Sequence, residues 1–150
     1  MTDGMLGGAL STDLYELTMM AGYYAADIMA PATFELYVRE LPPNRSFLVA
    51  AGLEQAIAYL ENLQFSRDDI AHLRTLPSLA RVPAAFFDDY LPRFRFSGEV
   101  WAIPEGTPVF PPAPLVRITA PIPEAQLVET ALLAQIAFAT SVASRAARMV

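Results

Sequence analysis

Five prolines fall between positions 104 and 114 (Pro104, Pro108, Pro111, Pro112 and Pro114), and this density restricts what the second half of the chain can build. Proline fixes φ and brings no backbone N–H, so it is excluded from the interior of a fully paired strand. The spacing predicts short strands over 94–96, 100–103, 109–110 and 115–119, separated by rigid turns. It favours edge pairing over a large central sheet, with a tight turn at Pro104-Glu105-Gly106-Thr107.

The first half is patterned for helices. Asp13 is placed to cap a helix over 14–26, with Glu16 three residues on completing a capping box. Leu14, Leu17, Ala21 and Tyr24 form its apolar stripe, and Tyr15, Met19 and Gly22 form a second one. Tyr15 therefore stands in the first turn, off the main core face, beside free backbone N–H groups that favour anions. Alternation over 33–39 predicts a half-buried strand with Phe34, Leu36 and Val38 inward. A turn at Pro42-Pro43-Asn44 leads to a short apolar strand over 47–51, ended by Gly52. Helices are expected over 54–63 (through Ile57, Leu60 and Leu63), from Ser66-Arg67-Asp68-Asp69 onward (Ile70, Leu73 and Leu76), and after Pro83 (Phe86, Phe87 and Tyr90). Pro123 at an N1 position opens a long apolar helix to about residue 138, and 140–150 reads as helical again. No Gly or Asn stop signal follows Ser144-Arg145-Ala146-Ala147-Arg148, so the chain reads as cut inside a helix.

Composition narrows the chemistry. At 150 residues, 54% hydrophobic and 17% charged, the chain can bury a single-domain core and is not of disordered type. It has no cysteine and no lysine, which removes disulfides, thiolate chemistry, Schiff bases and a P-loop lysine from these residues. A net charge of -6 gives no general attraction to nucleic acid or to anionic membranes. The apolar run over 125–143 is broken by Gln126, Glu129 and Gln135, which suits a buried helix better than a membrane span. The first residues lack the basic and apolar segments of a signal peptide, so the expected location is the cytoplasm.

Several strings carry more than patterning. Thr12-Asp13-Leu14-Tyr15-Glu16-Leu17-Thr18-Met19 resembles the opening of nicotinate phosphoribosyltransferases. Phe34-Glu35-Leu36-Tyr37-Val38-Arg39, Ala50-Ala51-Gly52-Leu53, Pro104-Glu105-Gly106-Thr107-Pro108-Val109-Phe110 and Glu129-Thr130-Ala131-Leu132-Leu133 are similar to that family in the same order. The resemblance implies an α/β protein. A mobile leader would cover 1–9 and an N-terminal α/β domain of short mixed or antiparallel strands and helices would cover 10–121. Residues 122–150 would be the first, truncated part of an α/β barrel. It implies transfer of phosphoribose from phosphoribosyl pyrophosphate to nicotinate, coupled to ATP hydrolysis with Mg2+, in NAD salvage, by a homodimer whose subunits close each other's sites. On this resemblance Tyr15 packs on the nicotinate ring and Asp13 lies near the substrates. The catalytic histidine and the Gly-rich phosphate loops fall beyond this chain, which would be inactive alone and would contribute no catalytic or metal-ligating residue. The context Leu14-Tyr15-Glu16-Leu17-Thr18-Met19 fits the nicotinate branch better than the nicotinamide branch.

Plainer readings stand beside these. Tyr15 could be a packed helix residue and Asp13 only a cap. His72 reads as a solvated helix residue and Glu105-Gly106 as turn chemistry. Glu129 is equally a buried structural carboxylate or a substrate contact, while Arg145 and Arg148 share a helix face and suit solvent or structural pairing better than phosphate. Phe86, Phe87, Tyr90, Phe94 and Phe96 form an aromatic core, with Trp101 beside it. The functional alternative is a non-catalytic assembly subunit that pairs with a separate barrel polypeptide through the apolar helix after Pro123. A small carrier-type barrel over 94–119 would need an attachment lysine, and there is none.

Overall fold

The computed structural model describes residues 8–149. Of the leader expected over 1–9, residues 1–7 lie outside the described residues, while Ala9 is buried and Gly8 accepts the Ser11 N–H in a turn. Helix α1 (Leu14–Ala25) is followed by strand β1 (Pro31–Tyr37), strand β2 (Leu48–Val49), helix α2 (Leu53–Glu61) and helix α3 (Arg67–Thr75). A 3-10 turn (Pro77–Leu79) and a π-helical turn (Phe86–Tyr90) lead into one further turn, α4 (Leu91–Arg93). Strands β3 (Glu99–Ala102), β4 (Pro108–Val109) and β5 (Pro114–Pro121) precede helices α5 (Ile122–Leu127) and α6 (Glu129–Ala146). The result is mixed helix with two small antiparallel sheets, ordered β1-β5-β3 and β2-β4.

Local signals account for much of this. Ser66 Oγ accepts the Asp69 N–H at 3.1 Å and Asp69 Oδ2 accepts the Ser66 N–H at 2.8 Å, a complete capping box that starts α3. In β1 the alternation places Phe34 and Leu36 inward, toward α5, and Glu35 outward, where it accepts from Arg117 of β5 at 2.8 Å. Tyr24, Phe86 and Tyr90 pack together at centroid distances of 4.9 to 5.6 Å, with Phe86 and Tyr90 stacked and Tyr24 tilted against both, and Phe94 and Phe65 extend the cluster. Burial in this aromatic cluster pushes the Tyr90 phenol up to about 12, with Glu124 and Tyr24 adding to the shift.

Other expectations are corrected. Strand β5 is eight residues long and central, paired on both sides, because its two prolines sit at its ends where no ladder bond is lost. Residues 94–96 form no strand; Phe94 follows α4 into the aromatic core. Trp101 is 71% exposed on the outer face of β3, not beside that core. Leu60 and Leu63 are buried as expected, but Ile57 is exposed, and Ala56 and Tyr59 face the core in its place. The long helix from Pro123 is broken at Val128, and the second piece runs on through residue 140 to Ala146. It is only half covered: Leu133, Phe138 and Val142 are exposed. Arg148 lies in a turn beyond α6, so it does not share a helix face with Arg145. No described helix is long and apolar enough to cross a membrane.

Candidate functional site

The start of α1 docks on the break between α5 and α6. A break exposes backbone groups that a continuous helix would pair. Two of these are met by side chains from the run that opens α1. Thr12 Oγ1 donates to the Leu127 carbonyl at 3.1 Å, where α5 ends. Glu16 Oε1 accepts the Thr130 N–H at 3.0 Å and the Thr130 hydroxyl at 2.7 Å, where α6 begins. Val128, the residue before α6, makes no side-chain cap, so Glu16 supplies from a distance what the local sequence omits.

Asp13 takes the N-cap position of α1, but its side chain makes no cap bond. The expected capping box is therefore absent in its usual form. Asp13 Oδ2 instead lies 3.3 Å from the Thr130 hydroxyl. Glu16, expected to complete that capping box, is fully buried. Burial raises its pKa above the ordinary carboxylate value. Hydrogen bonds from the Thr130 hydroxyl and amide and from the Asp13 backbone oppose this, and the nearby Glu129 adds to the rise. Its second oxygen, Oε2, has no hydrogen-bond partner.

Tyr15 stands beside this junction, 45% exposed. Its hydroxyl lies 3.3 Å from Glu16 Oε1, and Glu129 is the other carboxylate it faces. Partial desolvation and then these two carboxylates push its pKa up to about 12, so the phenol is neutral and acts as a donor. Glu129, held by Gln126 Nε2 at 2.9 Å, also lines a groove of about 220 Å³. The groove has an apolar floor of Phe34, Leu36, Val116 and Leu132, with Arg39 also on its wall. Tyr15, Asp13 and Glu129 are thus gathered at one place, while His72 is exposed elsewhere on α3.

Two other expected positions resolve differently. Glu105 is more than a turn residue, because Oε1 accepts the N–H groups of Gly52 and Leu53 at 2.7 Å each and that of Glu54 at 3.4 Å. It caps α2, whose own N-cap residue, Gly52, has no side chain. Arg145 and Arg148 are exposed. Sequence reading missed Thr12, Thr130 and the burial of Glu16. The one available signal for α2 was a helix start at Gly52 without a Ser, Thr, Asp or Asn cap.

The N-terminal domain of nicotinate phosphoribosyltransferase (NAPRTase) matches residues 10–137 of this chain. Nicotinate phosphoribosyltransferase pncB2 of Mycobacterium tuberculosis is 47% identical over 146 residues, which are 95% of this chain and 30% of that protein. The Bacillus subtilis nicotinate phosphoribosyltransferase is 39% identical over 145 residues, 94% of this chain and 28% of that protein. The crystal structure of human nicotinic acid phosphoribosyltransferase superposes with a TM-score of 0.83 at 35% identity, covering 91% of this chain and 27% of that one. The chain therefore spans less than a third of the length of these relatives. From the family match along most of its length, and from a fold shared with a solved relative, this chain belongs to the nicotinate phosphoribosyltransferase family, in the part that forms the N-terminal domain.

Proposed function

We propose that this chain is the N-terminal portion of an enzyme that forms nicotinate mononucleotide and pyrophosphate from nicotinate and phosphoribosyl pyrophosphate in NAD salvage. Residues 10–121 make up its N-terminal domain and 122–150 lead into the barrel. The observation that carries this reading is Tyr15: an aromatic face left nearly half exposed beside a helix start that is otherwise tightly bonded. Such a face suits a planar, electron-poor pyridine ring. Asp13 flanks it, although its carboxylate is already shared with Thr130.

The surroundings of Tyr15 divide the labour. Glu16 and Glu129 border its hydroxyl, so this wall repels a carboxylate and offers contact only to the ring. The cation that reads the nicotinate carboxylate, and the groups that perform transfer, belong to the barrel and to the neighbouring subunit of a cytoplasmic homodimer. ATP hydrolysis with Mg2+ is part of the same reading, but the residues here do not fit that site. Asp13 and Glu16 are both committed to Thr130, and among the described residues no three His, Cys, Asp or Glu side chains converge as metal ligands.

The 150 residues alone are therefore expected to make no nicotinate mononucleotide. The test is Tyr15→Ala in the complete transferase. A raised KM for nicotinate supports the reading, and an unchanged one removes Tyr15 from the site. The alternative assembly-subunit reading draws on the exposed Leu133, Phe138 and Val142 of α6. Co-elution of this chain with a separately encoded barrel polypeptide would favour it.

A further inference from the structure

We propose that Glu16 is a positioning residue for the nicotinate site: one carboxylate oxygen holds both the Tyr15 phenol and the N-terminus of α6, and so sets the orientation of a ring it does not itself place in contact with substrate. The inference rests on the reading of Tyr15 given above.

Three observations converge on it. Tyr15 is 45% exposed, so packing confines only part of its ring, and its hydroxyl is the natural handle for the rest. That hydroxyl lies 3.3 Å from Glu16 Oε1. Glu16 in turn is fully buried and clamped through the same oxygen by the amide and hydroxyl of Thr130, at 3.0 and 2.7 Å. Glu129 also borders the phenol, but of the two carboxylates Glu16 is the one clamped in place by Thr130, so Tyr15 takes its direction chiefly from Glu16. A carboxyl group in this location is costly, because Oε2 is buried with no partner. An apolar residue would fill the space without that cost but would leave the phenol and α6 unjoined. Oε1 is the part that matters, and a glutamine oxygen can replace it.

The experiment uses the complete transferase, with KM for nicotinate, KM for phosphoribosyl pyrophosphate, kcat and thermal midpoint read for each variant. Glu16→Ala also removes the cap of α6 and is expected to lower the thermal midpoint, but it should raise KM for nicotinate about tenfold while KM for phosphoribosyl pyrophosphate stays within about twofold, since the cap does not touch that substrate. Glu16→Gln is expected to restore KM for nicotinate to within about twofold, since it keeps the acceptor oxygen. Tyr15→Phe removes only the hydroxyl and is expected to raise KM for nicotinate about threefold, which keeps the test open if Glu16→Ala fails to fold. The proposal is overturned if Tyr15→Phe leaves KM for nicotinate unchanged, or if Glu16→Ala changes both KM values and kcat in parallel with a fall in thermal midpoint. Tyr15→Ala separates the two levels. If it raises KM for nicotinate while Glu16→Ala and Tyr15→Phe do not, only the positioning role falls. If it has no effect, the reading of Tyr15 falls with it.

Discussion

Glu105 Oε1 accepts the Gly52 backbone N–H at 2.7 Å, across 53 positions of sequence, and so closes the start of α2 from a turn that belongs to the other half of the chain. The turn reciprocates, because the Gly106 N–H donates to the Ala50 carbonyl at 2.8 Å. The β3–β4 turn and the β2–α2 connection therefore hold each other in place. Glu105→Ala is expected to lower stability by about 1 kcal/mol, the usual scale of a lost N-terminal cap. Glu105→Gln should cost less, because it keeps the acceptor and loses only the charge. Urea titration of the three proteins decides this, and equal midpoints would show that water replaces the carboxylate without loss.

Gly52 makes a second demand on the same place. Its φ is +97°, and a Cβ there would lie 2.9 Å from the Ala139 Cβ and 3.1 Å from the Gln135 carbonyl of α6. Gly52→Ala combines a left-handed backbone with a clash against a helix, and is expected to cost about 2–4 kcal/mol. Adding Ala139→Gly should recover only part of it, since the backbone strain and the carbonyl contact remain. Full recovery in thermal melts would place the whole cost in the Ala139 contact.

Thr140 joins α6 to the end of β2. Its buried hydroxyl lies 3.2 Å from both the N–H and the carbonyl of Ala51, and Ser144 Oγ accepts the Val49 N–H at 2.8 Å. Ser144 thus adds a bond to a two-residue strand that has a partner on one side only, and Thr140 pairs the backbone of Ala51 just beyond it. Thr140→Val keeps the shape and strands the Ala51 backbone groups, at an expected cost of about 1–3 kcal/mol. Thr140→Ser should cost clearly less. Equal losses in the two variants, read by chemical denaturation, would assign the effect to the methyl group.

Glu16 gives a pH dependence with a definite sign. Its pKa is raised in the folded chain above the ordinary 4.5, so the folded state binds this proton more tightly than the unfolded state. The contribution is fully present below the unfolded pKa and is lost as pH rises through the raised folded value. The stability difference between the native protein and Glu16→Gln should therefore decline from about pH 4 upward and level off above the folded pKa. Stability measured across that range checks it. A difference that stays flat would mean the buried carboxyl titrates as it does in water.

Tyr15→Ala in the complete transferase is expected to weaken nicotinate binding by about 1–3 kcal/mol, the scale of removing one aromatic ring together with the area it buries. The KM for nicotinate, or a direct titration with nicotinate, gives the value.

Much of the fold is written locally. The Ser66–Asp69 capping box, the alternation through Phe34 and Leu36, and the turn at Pro104-Glu105-Gly106-Thr107 all depend on neighbours a few residues apart. The strings that mark the family are legible in the same way, and they include Tyr15 and Asp13. Periodicity failed where an apolar run offered no punctuation. Nothing in Leu127-Val128-Glu129 announces that one helix ends and another begins, and the exposed Ile57 and Trp101 have the composition of core residues.

The sequence alone determined the local repertoire, helices and short proline-bounded strands, together with family membership, because these depend on residue type and spacing. Tertiary structure decided that Glu16 is buried at the head of α6, 114 residues from its partner Thr130, and that Glu105 caps α2. A carboxylate that closes a distant helix leaves no periodic trace. It becomes recognisable only when folding brings the unpaired N–H groups to it, since their need for an acceptor arises only once water has been excluded.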